Sequence, residues 1–151
     1  MSYTGKIKLV IVDMGGTLCD GPADLRHIYP GDDGLGVKSP VIPFDEALRK
    51  HGMTADWATI RKPMGLFKRD HLKALLSEPG INKQFKELYG RDWTEEDVDK
   101  IFADFTTILD DVIVRPELAM PIPGAKEAID EWRATGVLIA VSYTHLTLPT
   151  N

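Results

Sequence analysis

The chain has 151 residues, 43% of them hydrophobic, which is enough apolar material for one ordinary domain or for part of a larger one. Its net charge of -5, with lysines and arginines scattered between acids, argues against nucleic acid as a partner. The single cysteine excludes an internal disulfide, and the four histidines lie too far apart for a recognisable zinc pattern.

The first predicted element is a strand that ends on a carboxylate. Residues 9–12 (LVIV) form a short, mostly β-branched apolar run, which is typical of a buried parallel strand. Asp13 would stand at its carboxyl end, where open α/β sheets bind ligands, and Gly15 and Gly16 would let backbone amides approach an anion. The same residues also fit a strand that ends in an Asx turn, so the pattern alone leaves both interpretations open.

Residues 21–38 are rich in glycine, proline and aspartate and show neither helical nor alternating periodicity, which predicts a long loop. Because this loop directly follows the candidate ligand-binding turn, it could close over the site as a lid. An insertion that touches nothing is the other interpretation of the same composition.

A run of helices follows, with almost no strand signal between them. Gly52 and Gly90 are predicted C-terminal stops, Thr54 or Asp56 a cap for the second helix, and Thr94 a cap for the last. We therefore predict a small helical domain, with helices near residues 42–51, 56–60, 64–76, 82–89 and 94–112.

The chain then returns to an alternating pattern. Pro123 opens a predicted helix to about Thr135, with a buried stripe of Ala128, Ile129 and Trp132, and residues 137–141 (VLIAV) predict a second buried strand. A strand, an inserted helical domain, a helix and a second strand make an α/β crossover. We expect core segments at residues 1–36 and 119–141, the helical domain at 37–118 and a separate tail at 142–151.

One stretch of the helical domain combines basic and apolar residues at helical spacing. In residues 61–76 (RKPMGLFKRDHLKALL), Met64, Lys68 and His71 share one predicted helix face. An amine and an imidazole one turn apart could be pressed against another surface. Equally, Lys68 could be a solvated lysine whose stem covers apolar surface, with His71 half-buried.

Two motifs resemble a known enzyme family. Residues 13–17 (DMGGT) resemble the first motif of the haloacid dehalogenase superfamily, whose aspartate is the nucleophile in phosphoryl transfer. Gly15 stands where most phosphatases of the superfamily carry a second aspartate, and a small residue there is similar to the phosphonatase branch. Residues 62–66 (KPMGL), followed by Lys68 and His71, resemble the phosphonatase cap motif.

This resemblance implies an α/β fold, namely an incomplete Rossmann-like haloacid dehalogenase core with an inserted helical cap. It also implies a hydrolase that cleaves the carbon-phosphorus bond of phosphonoacetaldehyde to acetaldehyde and phosphate. By the same resemblance Asp13 is the nucleophile, Lys68 forms a Schiff base with the substrate aldehyde, and Met64 and His71 support that lysine.

The resemblance further implies a Mg²⁺ ion held by Asp13 and the backbone carbonyl of Gly15. Gly16 and Thr17 would place amides and a hydroxyl near the phosphoryl oxygens. The implied substrate-binding residues are Gly15, Gly16, Thr17, Met64, Gly65 and Ser142.

Residues 142–151 (SYTHLTLPTN) do not continue the predicted fold and resemble the translation of a transposon end joined to a sequencing adaptor. We expect this tail to be foreign, although Ser142 coincides with a Ser or Thr that the superfamily places after its second strand. A complete core with its cap would be about twice as long as this chain. The 151-residue fragment is therefore expected to be inactive.

The alternatives to a phosphonatase are a haloacid-dehalogenase-type phosphatase of unknown substrate and an inactive fragment. Neither a signal peptide nor an apolar run of transmembrane length is apparent, so we expect a cytoplasmic protein without membrane contact. The expected partner is a small-molecule phosphonate, and the resemblance also allows a homodimer.

Overall fold

The structure is a computed structural model that describes residues 5–20, 25–34, 37–118 and 120–142. The chain divides into two compact units, a strand unit (Met1–Asp20 with Met120–Asn151) and a helical unit (Gly21–Ala119). The elements in chain order are β1 (Leu9–Asp13), β2 (Cys19–Asp20), α1 (Ile42–Lys50), α2 (Trp57–Arg61), α3 (Lys68–Ser77), α4 (Pro79–Tyr89), α5 (Glu95–Val112), a 3-10 turn (Pro116–Leu118), β3 (Met120–Pro121), α6 (Ala125–Ala134) and β4 (Leu138–Ser142).

The strand unit is built on a parallel pair. β1 pairs with β4 in a register that sets Leu9 opposite Leu138 and Asp13 opposite Ser142. A short antiparallel ladder joins β2 to β3, with Cys19 opposite Pro121. The parallel pair and the helix that precedes β4 confirm the predicted α/β class. The β2–β3 ladder was not predicted, because two residues in each strand are too few to show periodicity.

The prediction that these strands and α6 are buried is wrong for the described residues. Leu9, Ile11 and Leu138 are 50%, 65% and 70% exposed, and Val12 is the buried apolar residue of β1. α6 has no buried residue, although its predicted stripe is its less exposed face. A parallel sheet is normally covered on both faces, and α6 is the one helix among the described residues of this unit.

The helical unit has an extensive apolar core. Helices α1 and α5 contribute facing aromatic residues, and the Phe44 and Phe105 ring centroids are 4.4 Å apart. The fully or nearly buried core residues are Leu25, Tyr29, Val41, Ile42, Phe44, Ala47, Leu48, Met53, Trp57, Ile60, Leu72, Leu75, Leu76, Ile81, Phe85, Val98, Ile101, Phe105, Val112 and Leu118. No helix in the described part of the chain is long and apolar enough to cross a membrane.

Local capping chemistry explains several of the helix boundaries, and these predictions are confirmed. Asp56 caps α2 by accepting a hydrogen bond from the Thr59 N–H at 2.6 Å. α5 begins after Thr94, whose N–H donates to the Asp97 carboxylate at 2.8 Å. α1 ends before Gly52, which has a φ of 78° that favours glycine.

Two predicted helix starts are wrong. α3 begins at Lys68 and not at residue 64, because Gly65 has a φ of 106° and interrupts the helical path. Residues 62–66 instead form turns, in which the Met64 N–H donates to the Arg61 carbonyl at 2.9 Å. α4 begins at Pro79 and not at residue 82, since proline is favoured in the first helical turn.

The described part of the predicted 21–38 loop packs into the helical unit, so the interpretation that it touches nothing is wrong for residues 25–34, 37 and 38. Leu25 and Tyr29 belong to the core. Asp32 organises the segment, because it accepts hydrogen bonds from the Leu25 N–H at 2.8 Å, the Gly34 N–H at 2.9 Å and the Lys38 ammonium at 2.7 Å.

The Asp32–Lys38 ion pair is buried, with side-chain exposures of 0% and 2%. Burial by itself would raise the pKa of Asp32, but hydrogen bonds from Lys38, Leu25 and Gly34 together hold it below its usual value. The carboxylate therefore stays charged and keeps this segment attached to the helical core.

Removing one partner of this pair should strongly destabilise the helical unit. We expect Asp32→Ala to lose about 3–5 kcal/mol, because Lys38 becomes a buried charge without its carboxylate. The double variant Asp32→Leu/Lys38→Met should recover part of that loss. Urea unfolding followed by far-UV circular dichroism measures both.

The matched control is Glu87→Ala, which removes an exposed pair with Lys83 and should cost less than about 1 kcal/mol. Equal losses for Asp32→Ala and Glu87→Ala would contradict the anchoring role of Asp32.

Candidate active site

The predicted nucleophile lies at the carboxyl end of β1. Asp13 is partly exposed and is placed by strand pairing, since it lies opposite Ser142 in the β1–β4 ladder. A tight turn follows, in which the Met14 carbonyl accepts the N–H groups of Leu18 at 2.9 Å and Cys19 at 3.0 Å. Gly16 has a φ of 79° in this turn, which a residue with a side chain would rarely adopt.

The glycines and threonine after Asp13 are exposed, but two of their amides are used inside the turn. The Gly16 N–H donates to the Cys19 carbonyl at 2.8 Å, and the Thr17 N–H donates to the Met14 carbonyl at 3.3 Å. An anion would have to share or replace these bonds. The assignment of Gly15, Gly16 and Thr17 to phosphoryl binding therefore stays a prediction.

Asp13 and the Gly15 carbonyl are oxygen donors, the ligand type that Mg²⁺ prefers. Within the described residues, no group of three or more His, Cys, Asp or Glu side chains is placed to hold a metal. Mg²⁺ takes about six oxygen ligands in near-octahedral geometry. The two predicted ligands thus fit the metal's chemistry and would supply part of its coordination shell.

The second group of predicted site residues lies in the helical unit. Met64 is partly buried and packs against the core, in the turn that precedes α3. Gly65 is exposed, and a Cβ added there would meet nothing within 4 Å. The turn therefore needs glycine at residue 65 for its backbone conformation and not for space.

Lys68 is the first residue of α3, and its ammonium group is not solvated. Among the described residues the buried Nζ atom has no hydrogen-bond partner, and it lies 5.9 Å from the centroid of the Phe44 ring. Burial lowers the pKa of Lys68. The amino end of α3 also disfavours a cation there, because the helix dipole is positive at that end. The alternative of a solvated lysine is therefore wrong.

His71 lies one turn further along α3 and is fully buried, not half-buried. Its Nε2 is 2.8 Å from the Ile60 carbonyl oxygen, and because a carbonyl only accepts, we assign the ring proton to Nε2. The buried Nδ1 has no hydrogen-bond partner in the part of the chain that the structure describes. The imidazole stacks on Phe44, with ring centroids 3.9 Å apart and planes 20° from parallel.

The surroundings of His71 keep it neutral. Burial is the main cause that lowers its pKa to about 4, the Lys68 charge acts in the same direction, and the hydrogen bond to Ile60 opposes them. At neutral pH the helical unit thus presents a buried amine of lowered pKa beside a neutral imidazole. Such an amine attacks carbonyl carbon more readily than an ammonium does, and the free Nδ1 can accept a proton.

Sequence reasoning did not assign Phe44 or Ile60 to the site. Phe44 is an apolar residue of α1, and no local pattern in the sequence shows its contact with His71 in α3. The Ile60 carbonyl is a backbone group at the end of α2, and no side-chain pattern indicates it.

Comparison with solved structures gives the fold class. The chain is similar to a phosphonoacetaldehyde hydrolase-like protein from Oleispira antarctica, with a TM-score of 0.70 and 24% identity, over 97% of this chain and 49% of that chain. The chain accordingly shares the fold of the matched part of that protein, and β1, β4 and α6 form its α/β portion here. No family model matches the sequence.

Comparison with curated proteins gives relatives with a named activity. The phosphonoacetaldehyde hydrolase of Syntrophobacter fumaroxidans is 32% identical over 145 residues, which are 96% of this chain and 47% of that protein. The phosphonoacetaldehyde hydrolase of Bacteroides fragilis is 36% identical over 134 residues, 89% of this chain and 45% of that protein. The chain spans about half the length of these relatives. Over the matched residues the chain is similar to the phosphonoacetaldehyde hydrolases of both organisms.

His71 should make the stability of the helical unit depend on pH. Its pKa is about 4 in the fold against an ordinary value of 6.5, so the unfolded chain binds the proton first as the pH falls. The stabilisation is complete above about pH 6.5 and is lost towards pH 4, by roughly 2–3 kcal/mol. Urea unfolding of the wild type and of His71→Leu across this range measures the difference.

Leu75→Val is the matched control, because Leu75 is a fully buried residue of the same helix that does not titrate. This variant should lower stability and keep the pH dependence of the wild type. Parallel stability curves for the wild type and His71→Leu would show that His71 is not held neutral.

Proposed function

We propose that this chain is the part of a phosphonoacetaldehyde hydrolase that carries both the nucleophile and the imine-forming lysine. The whole enzyme would cleave the carbon-phosphorus bond and release acetaldehyde and phosphate. The observation that carries this proposal is the buried, unpartnered amine of Lys68 beside the neutral imidazole of His71. The homologous proteins of that name, matched over about nine tenths of this chain, support it.

Cleavage of a carbon-phosphorus bond through an imine requires an amine that is uncharged, and shielding from water favours that state. Direct cleavage of the carbon-phosphorus bond would leave a carbanion. The Lys68 amine instead adds to the aldehyde carbon, and loss of water gives a protonated imine. When the carbon-phosphorus bond breaks, its electron pair moves towards the imine nitrogen and leaves a neutral enamine.

Asp13 would receive the phosphoryl group. Its carboxylate oxygen attacks phosphorus as the carbon-phosphorus bond breaks, giving an aspartyl phosphate that water hydrolyses to phosphate. Protonation of the enamine carbon and hydrolysis of the imine then release acetaldehyde and restore Lys68. Because the leaving group is not an alkoxide, the reaction needs no general acid at residue 15, where this chain has glycine.

His71 would move protons during imine formation and breakdown. Addition of the amine to the carbonyl requires loss of a proton from nitrogen, and departure of water requires a proton on oxygen. With Nε2–H bonded to Ile60, Nδ1 is the atom that can accept and return this proton.

Asp13 and the Gly15 carbonyl would hold Mg²⁺, which would reduce the repulsion between the phosphonate and the attacking carboxylate. The substrate is proposed to be a small phosphonate, met in the cytoplasm, and a homodimer stays a prediction. The proposed substrate-binding residues are Gly15, Gly16, Thr17, Met64, Gly65 and Ser142.

The alternative of a phosphatase of the same superfamily fits less well. A phosphatase that releases an alcohol benefits from an acid at the position of Gly15, and it has no use for an amine that is buried without a partner. Lys68 therefore discriminates between the two activities.

Lys68 should form the imine. When the 151-residue chain is incubated with phosphonoacetaldehyde and borohydride, mass spectrometry should find a phosphonoethyl group on Lys68, because reduction fixes the imine. Lys68→Arg should abolish this label. Lys73→Arg, which replaces another lysine of α3, one that is paired with Glu95 of α5, should keep it. Labelling that survives Lys68→Arg would refute the assignment.

Asp13 should act after the imine. In a chimaera completed with the downstream half of the Syntrophobacter relative, Asp13→Asn should reduce phosphate release by roughly 10³-fold or more, because a carboxamide does not attack phosphorus. Trapping should still yield the phosphonoethyl adduct. Asp130→Asn, an exposed change in α6, is the control and should keep normal release.

Assayed in parallel, the 151-residue chain should release neither product, because apolar residues of its paired strands, such as Ile11 and Leu138, are exposed and unsupported. Normal phosphate release from the Asp13→Asn chimaera would rule out the proposed nucleophile.

A further inference from the structure

Phe44 contacts both reactive groups of the helical unit. It is fully buried in α1. Its ring centroid is 3.9 Å from that of His71, with the planes 20° from parallel, and it lies 5.9 Å from the Lys68 Nζ. Phe105 of α5 supports the Phe44 ring at a centroid distance of 4.4 Å. The imidazole thus lies against a ring that the core itself holds in place.

Two contacts together determine how the imidazole is oriented. The Ile60 carbonyl accepts the Nε2–H at 2.8 Å, which fixes the direction of one ring nitrogen. Stacking on Phe44 fixes the plane of the ring. With both contacts made, the ring cannot turn over to exchange its nitrogens without losing the hydrogen bond, and Nδ1 is left unbonded.

We propose that Phe44 is a positioning residue for the Lys68 reaction, because its ring holds the His71 imidazole with Nε2–H on Ile60 and Nδ1 free for proton transfer. The catalytic consequence rests on the proposed function. The orientation of His71 does not, so the two can be tested separately.

The aromatic ring supplies something that another apolar side chain would not. A leucine at residue 44 would still exclude some water, but it offers no flat surface on which an imidazole can stack. The charged group that acts on His71 within the described residues is Lys68, from the same helix. α1 contributes the Phe44 ring and α2 the Ile60 carbonyl. The orientation of the His71 ring and the charge that acts on it therefore come from different residues.

The orientation of His71 can be read without any turnover. In the 151-residue chain, ¹⁵N–¹H correlations of the histidine rings, assigned with His71→Leu, should show the Nε2–H tautomer for the wild type. Phe44→Leu should lose this single tautomer, and its His71 should titrate closer to the ordinary value of 6.5. Phe85→Leu, a nearly buried residue of the same core that stacks on Tyr89, should behave as wild type.

The effect on chemistry is measured by the rate of borohydride trapping at Lys68 with phosphonoacetaldehyde. Phe44→Leu should slow trapping by about tenfold or more, since a misplaced proton acceptor removes part of general acid–base catalysis. Phe85→Leu should not. Far-UV circular dichroism verifies folding, and Phe44→Met replaces Phe44→Leu if the latter does not fold.

Loss of the tautomer together with slower trapping in the Phe44 variant alone would support the proposal. An unchanged His71 spectrum in that variant would overturn it, as would a changed spectrum with an unchanged trapping rate. Absence of trapping in the wild type would instead refute the proposed function, and the spectra would still decide whether Phe44 orients His71.

Discussion

The site depends on an amine that is kept away from water. Within the described residues the buried Nζ of Lys68 has no hydrogen-bond partner, and a charged ammonium without solvent or a partner is costly in a protein interior. The group can lower that cost by losing its proton. The position of Lys68 at the amino end of α3 acts in the same direction, because the helix dipole is unfavourable for a cation there.

Other ionic groups of the helical unit, unlike the Lys68 amine, have hydrogen-bonded partners of opposite charge. Asp32 is paired with Lys38, and Asp97 accepts two hydrogen bonds from Arg91 at 2.6 and 2.8 Å. Within the described residues, the buried side-chain nitrogens and oxygens without a hydrogen-bond partner are Asp45 Oδ2, Trp57 Nε1, Lys68 Nζ and His71 Nδ1. The Asp45 carboxylate is bonded to Arg49 through its other oxygen. The remaining two ionisable groups, Lys68 and His71, lie one turn apart on α3. Ionisable groups with strongly shifted pKa values are typical of functional sites.

How much the sequence could predict depended on the range of the interactions involved. The start of α5 after Thr94 and the end of α1 before Gly52 are set by neighbouring residues, and both were predicted. The start of α3 was not, because the pattern could not show that Gly65 takes a positive φ. The stacking of Phe44 on His71 was also missed, since it requires α1 and α3 to meet. Burial of the strands was overestimated because apolar composition predicts a cover, which the described residues of that unit do not provide.

The candidate site residues of the two units are held in position by different interactions. Lys68 and His71 both lie against Phe44, a core residue of the helical unit, so the proposed imine formation would depend on contacts within that unit. Asp13 is partly exposed, and its position comes from backbone pairing with β4, a strand far along the sequence. Phosphoryl transfer should therefore be the step that is more sensitive to changes in the sheet. The proposed imine formation should tolerate them, because the Phe44 ring and the Ile60 carbonyl, which contact Lys68 and His71, belong to the helical unit.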